Sequence, residues 1–250
     1  MADNYLGKKM EDLESGRLAK GRKAGLKTKS AAGAKAAGKA KNSLDNLLLK
    51  NRSCRGYDSS YKVTLKELEQ IINVNRLIPS ARNQQVLRFK PLIGEQAAEF
   101  TKYIKLGGAL PELNLPFPGT EPNAYIIICS IAKPNRWTDV DLGISAQSML
   151  LKAVDMGLNG ICIGAFNKER ATEIVNNSQK QGQKPKKEAS AQSGYASAEA
   201  LDGYEPLMVL AIGKSIEKFQ LLPIDESENH NYFRENNIHY IPKVKKLIIE

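Results

Sequence analysis

Histidine, cysteine and tryptophan are scarce in this 250-residue chain, which has two, three and one of them. Two histidines, His230 and His239, cannot furnish a conventional histidine-based metal centre. The cysteines Cys54, Cys129 and Cys162 are odd in number and show no CxxC spacing, which argues against a disulfide framework and against a zinc site. No apolar run reaches the roughly 18 residues that a membrane-spanning helix needs. The opening "MADNYLGKKMEDLESG" has no apolar core of a secretory signal, so a reducing cytoplasm is the expected setting. Neither a Walker loop nor GxGxxG occurs, so the P-loop and dinucleotide-fold phosphate sites are both unavailable. Internal repeats are absent as well.

What is present divides by charge. The net charge is +10, and residues 1–55 hold 14 Lys/Arg against 5 Asp/Glu, leaving the rest of the chain near neutrality. The sequence thus reads as a basic leader (1–45) joined to a globular domain (46–250), and the 42% apolar content of the whole chain supports a sizeable core. Residues 16–43 are Lys, Ala and Gly with almost no large apolar side chain, too little to offset the entropy of ordering. A polyanion-binding arm is one reading of that leader, but no aromatic residues interleave for base stacking, and nucleic acid is the less favoured partner.

Within the domain, "SLDNLLLK" (43–50) predicts a short helix. Thr64–Asn75 predicts a helix opened by a Thr64/Glu67 capping box, with Leu65, Leu68, Ile71 and Ile72 on its apolar stripe. Val86–Ile93 predicts a strand, Glu95–Lys105 a helix, and the proline-rich 109–123 an irregular ordered loop. "AYIIICSI" (124–131) predicts a strand buried on both faces. A Thr138/Asp141 capping box opens a long helix with two apolar stripes, one of Leu142, Ala146, Met149, Ala153 and Met156, the other of Leu150, Leu151 and Val154. Such a helix is expected to be buried on two sides, with Gly157 just beyond its end. "LNGICIGAF" (158–166) gives a glycine-broken strand, Lys168–Asn176 a helix, 178–203 a polar surface insertion, "PLMVLAIGK" (206–214) a third buried strand, and "HYIPKVKKLIIE" a partly strand-like basic end.

Four motifs can carry chemistry. In "NRSCRGY" (51–57), Arg52 and Arg55 bracket the Ser53 hydroxyl, and two guanidinium forks with a hydroxyl suit a phosphate or carboxylate. In "PSARNQ", small Ser80 and Ala81 beside Pro79 let backbone approach a flat ligand, and Asn83 offers an amide to a ring edge; a stiff helix-to-strand turn accounts for the same residues. In "GICIGAF", Gly164 after Ile163 permits close backbone contact with a bound ring; a strand with a bulge accounts for the same glycine. Near the C-terminus, Lys243 and Lys245 stand on one side of an alternating segment and could meet a phosphate, or could protect an exposed edge.

Taken in this order and spacing, the motifs resemble those of the flavin-dependent nitroreductases over residues 46–250. The resemblance rests on Asn51-Arg52-Ser53-Cys54-Arg55, the Pro79–Asn83 turn between helix and strand, the long helix "DLGISAQSMLLKAVDMGL" with Gln147 inside, "GICIGAF", "PLMVLAIGK" and the basic end. It implies an α+β fold, a central, mostly antiparallel sheet flanked by helices, in an intertwined homodimer with FMN at the interface. It implies further that Arg52, Ser53 and Arg55 contact the phosphate, ribityl chain and pyrimidine edge, with Arg55 near N1 and O2. Asn51 stands where the family often has arginine, and Lys243 and Lys245 could supply the missing charge. Pro79, Ser80, Ala81 and Asn83 would approach the ring from the neighbouring subunit, and the Ile163–Gly164 backbone would face its reactive edge. Gln147 reads as structural. No side-chain acid or base is assigned, because the flavin N5 carries the chemistry. The implied activity is NAD(P)H-dependent reduction of nitroaromatics, quinones or similar acceptors, with NADH or NADPH as donor. A flavin carrier or sensor without turnover is the alternative from the same fold.

Overall fold

The computed structural model describes residues 43–108, 113–181, 200–225, 227–228, 233–234, 238–241 and 243–245. Residues 1–42 of the basic leader therefore lie outside the described residues, and its last three open the first helix. The first helix, α1 (Leu44–Lys50), is capped by the Ser43 hydroxyl. Helix α2 (Leu65–Ile72) shows the expected Thr64/Glu67 capping box and continues as a 3₁₀ turn over Asn73–Arg76. Leu68 and Ile71 are buried, but Leu65 of the expected stripe is exposed. It sits in the first turn, before the helix reaches the sheet.

The central sheet has four strands in the order β1-β2-β4-β3, paired antiparallel throughout: β1 (Leu87–Ile93), β2 (Ala124–Ala132), β3 (Asn159–Ile163) and β4 (Ala200–Gly213). Pro91 lacks a ladder N–H and is tolerated because β1 is an outer strand. Strand β2 is apolar on every residue that matters because both of its faces are covered. Ile126 and Ile128 face α2 and α4 (Arg136–Asp155), together with Leu210 and Ile212 of β4. Tyr125, Ile127 and Cys129 face α3 (Gly94–Phe100) and α5 (Lys168–Gln181), with Phe100 edge-on to Tyr125. The fold is thus three-layered, helices over each face of an antiparallel sheet. Beyond β4 come the short strands β5 (Lys218–Phe219), β6 (Leu222–Ile224), β7 (Phe233–Arg234), β8 (His239–Ile241) and β9 (Lys243–Lys245).

Several features differ from the sequence expectation. The helix expected over Glu95–Lys105 is α-helical over Gly94–Phe100 and 3₁₀ over Thr101–Tyr103. Helix α4 starts at Arg136, not after Thr138: Asn135 is the N-cap, accepting from the Trp137 and Thr138 N–H groups, while Thr138 bonds back to Asn135 N. Asparagine caps as well as threonine and comes first in the chain. Of the expected insertion, 178–181 continue α5 and 200–203 begin β4, with 182–199 outside the described residues. The two stripes of α4 merge into one broad inward face with Leu142, Ala146, Met149, Leu150, Ala153 and Val154 buried, and the opposite side leaves Trp137 and Val140 exposed. Within one chain the helix is therefore buried on one side only. Gly157 does follow its end, at φ +83°.

The cores hold groups that must stay neutral. Burial pushes the Cys129 thiol up to about 12 and raises the Tyr57 and Tyr125 phenols. In the unfolded chain these groups ionise near their ordinary values, so the stability they protect is complete below about pH 9 and falls as the pH rises above it. Each group contributes a slope of about 1.4 kcal/mol per pH unit once its unfolded form ionises. Urea unfolding between pH 8 and 10.5 should show a steadily falling midpoint, and a flat profile would contradict this. Among the described residues, no helix is long and apolar enough to cross a membrane.

Candidate flavin site

The Asn51–Tyr57 segment is laced between two strands. Asn159 Nδ2 donates to Lys50 O (2.9 Å) and Cys54 N to Gly160 O (3.1 Å), fixing the segment to the start of β3. On its other side, Arg55 N donates to Glu217 Oε2 (2.8 Å), and Ile216 N to Gly56 O (3.2 Å). The three expected contact residues are thereby placed differently. Arg52 is half-buried and donates to Leu48 O and Leu49 O at the end of α1. Ser53 is exposed. Arg55 is only 8% exposed and donates to Ser53 O (2.9 Å), so its guanidinium holds the backbone that presents Ser53.

Strand β3 leads from Gly160 to the second candidate. Ile163 is buried in the core, and Gly164 is exposed. A Cβ on Gly164 would meet nothing within 4 Å, and its φ lies outside the left-handed region. Neither packing nor backbone strain in this chain demands glycine there, and the open space in front of it is what a flat ring lying on the backbone would fill. The following residues are anchored by Lys105 N to Ala165 O and Asn167 N to Tyr103 O, both 2.8 Å.

The third candidate, the Pro79–Gln85 turn, is a strained structure. Arg82, Asn83 and Gln85 all have positive φ, at 52°, 54° and 51°. Left-handed backbone costs roughly 1–2 kcal/mol for an ordinary side chain and less for asparagine. Hydrogen bonds hold it. The Ser80 hydroxyl accepts from Gln85 N (3.0 Å), Asn83 Oδ1 accepts from Gln85 Nε2 (2.7 Å), and Asp141 Oδ1 of α4 accepts from Ala81 N (2.8 Å). Pro79 and Asn83 are exposed, Ser80 and Ala81 half-buried.

The structure brings Arg52, Ser53 and Arg55 together with the strand that ends at Ile163 and Gly164. It keeps the turn apart from them. The turn precedes β1 and Gly164 follows β3, so they lie at opposite edges of the sheet, whose outer strands are three strand spacings, roughly 14 Å, apart. Helix α4 crosses the sheet face between them, touching the turn through Asp141 and β3 through Leu150, whose side chain lies over Gly160. Lys243 and Lys245 form β9, parallel to β6 with Lys243 opposite Leu222; their side chains lie outside the described residues. Gln147 is exposed on α4. Glu217 is a buried carboxylate that no sequence motif singles out, and Asp141, expected to form a capping box with Thr138, is instead buried and accepts from Ala81 N. A signal for Asp141 was available: Thr138, Asp141 and Ser145 are polar residues spaced along the face that packs inward.

Comparison with known proteins agrees with this architecture. The nitroreductase family profile matches residues 48–185, more than half of the chain, and the chain belongs to the nitroreductase family. The matched span includes Arg52–Arg55, the turn, α4 and Gly164. A nitroreductase family protein from Streptococcus pneumoniae TIGR4 superposes with a TM-score of 0.51 at 15% identity, covering 71% of this chain and 93% of that one. An FMN-bound protein from Exiguobacterium sibiricum 255-15 superposes with a TM-score of 0.50 at 19% identity, covering 70% and 90%. No curated protein matches the sequence significantly.

Proposed function

We propose that this protein is an FMN-dependent oxidoreductase that takes hydride from NADH or NADPH and reduces nitroaromatics, quinones or similar conjugated acceptors, working in the cytoplasm as a homodimer. In this reading residues 46–250 form the FMN-binding domain, preceded by the basic leader of 1–45. The observation that carries the dimer is the separation of the two half-sites across α4. A ring laid on Gly164 meets the turn of a second copy, not its own. Exposed apolar side chains on the elements that flank the half-sites support such an interface: Leu44 (62% exposed) and Leu49 (54%) on α1, Leu77 (84%) before the turn, and Trp137 (51%) at the start of α4. The FMN-bound Exiguobacterium protein, which shares the fold, supports the cofactor. Cys54, Cys129 and Cys162 form no disulfide, which suits a reducing compartment.

When bound, the flavin supplies hydride acceptance and donation at N5, and the protein supplies position and electrostatics. The chain's residues then have distinct tasks. Ser53 and Arg52 meet the ribityl and phosphate groups, with Lys243 and Lys245 adding positive charge. Arg55 holds Ser53 and lends positive charge toward the pyrimidine edge. The backbone at Ile163–Gly164 meets the reactive edge and leaves one ring face open for donor and acceptor in turn. The second copy's Pro79, Ser80, Ala81 and Asn83 cover the remaining edge and exclude water.

The test is an FMN titration of the purified protein followed by anaerobic NADH or NADPH. Retention of one flavin per chain, with its absorption bleached by the nicotinamide and restored by a quinone, is the expected result. Failure to retain FMN would overturn the proposal.

A further inference from the structure

The strain in the Pro79–Gln85 turn needs something to hold it. Beside the turn is a pocket of about 200 Å³, open to solvent and lined by Asn75, Arg76, Ser80, Asp141 and Ser145 among others. With that side open to solvent, hydrogen bonds do much of the work of fixing the turn's shape. Those from Ser80 and Asn83 are internal to the turn and move with it. The bond from Ala81 N to Asp141 Oδ1 instead ties the turn to the long helix, sixty residues away in sequence. Asp141 is 5% exposed, and its neighbour on the same helix face, Ser145, donates to Asn75 Oδ1 on the segment leading into the turn. A buried carboxylate accepting a backbone N–H forms a charge-assisted bond, stronger than one a mobile water in the pocket could offer.

We infer that Asp141 is a positioning residue for the flavin: its buried carboxylate fixes the Pro79–Gln85 turn of one copy in the shape that meets the ring bound by the other. The inference rests on the FMN reading. Asp141 touches no part of the ring; it acts only through Ala81. What it must provide is an acceptor at the right place, not an acid or a base. Asparagine keeps an acceptor of the same shape. Leucine keeps the volume and removes the acceptor.

The experiment compares wild type, Asp141→Asn and Asp141→Leu by FMN titration, thermal unfolding of the apoprotein, and amide hydrogen exchange of the apoprotein. Asp141→Leu should weaken FMN binding about tenfold or more, while Asp141→Asn stays within about threefold of wild type, the difference expected for losing or keeping one buried hydrogen bond. Exchange should quicken in Asp141→Leu over residues 79–85, with α4 still protected. Should the leucine variant not fold, Asp141→Ser, which is small and keeps a weaker acceptor, takes its place, with an intermediate affinity expected. Equal FMN affinity in wild type and the acceptor-less variant would overturn the inference, as would an asparagine variant as weak as leucine. Quickened exchange along the whole of α4 with a lowered unfolding temperature would reassign Asp141 to general stability and overturn it too. Wild-type protein that does not bind FMN would instead overturn the FMN reading, leaving the exchange of 79–85 to judge Asp141's hold on the turn.

Discussion

Replacing Gly160 by alanine is expected to cost about 3 kcal/mol or more, whereas the same change at Gly164, four residues on, should leave stability within about 0.5 kcal/mol. The two glycines do different work. A Cβ on Gly160 would lie 2.5 Å from Ala211 O, 2.7 Å from Leu150 Cδ2 and 2.9 Å from Ile212 Cδ1. The two side-chain ends can rotate away, but the carbonyl belongs to the β4 backbone and moves only with the sheet. Overpacking of this kind typically costs 1–3 kcal/mol, and a backbone clash adds to it, against a total stability of roughly 5–15 kcal/mol. Gly160 O also accepts from Cys54 N, so any shift there disturbs the segment carrying Arg52, Ser53 and Arg55. Around Gly164 the chain is open. Its methyl would enter the space assigned to the flavin, and FMN affinity should fall about tenfold or more, the equivalent of 1.4 kcal/mol. Urea unfolding and FMN titration of both variants check the contrast. Equal stability losses, or undiminished FMN binding by Gly164→Ala, would contradict it.

Much of this fold was legible because local and tertiary preferences agree. The run Ala124–Ser130 is apolar without alternation, and the structure covers both of its faces with helices. The Thr64/Glu67 box and Gly157 mark helix ends by backbone chemistry alone. The start of α4 was misplaced because two good caps, Asn135 and Thr138, stand three residues apart, and the first in the chain takes the role. The composition of Pro79–Asn83 showed that the turn was unusual. It did not show what holds it, since Asp141 reaches Ala81 only after the chain has folded. Arg55 reads in sequence as one arm of an anion clamp around Ser53, yet folding buries it against the backbone of Ser53. The separation of the half-sites depends on strand order, and no motif records which strands become the outer pair.

That separation produces the other large effect. A chain altered in front of Gly164, as in Gly164→Leu, should lose FMN because its own ring-bearing edge is blocked. A chain with Ala81→Trp should lose it because the turn it lends to its partner is blocked. Each homodimer is defective at both sites. In the proposed dimer, where each site draws one half from each chain, a heterodimer of the two variants gathers both defects in one site and leaves the other intact. The decisive measurement is therefore FMN content of the heterodimer, isolated by sequential capture of two differently tagged chains expressed together. One FMN per heterodimer, with none in either variant homodimer, is the result expected of a site shared between copies. A heterodimer without flavin would place each site within a single chain, and failure to capture any heterodimer would remove the dimer itself; either would contradict the account.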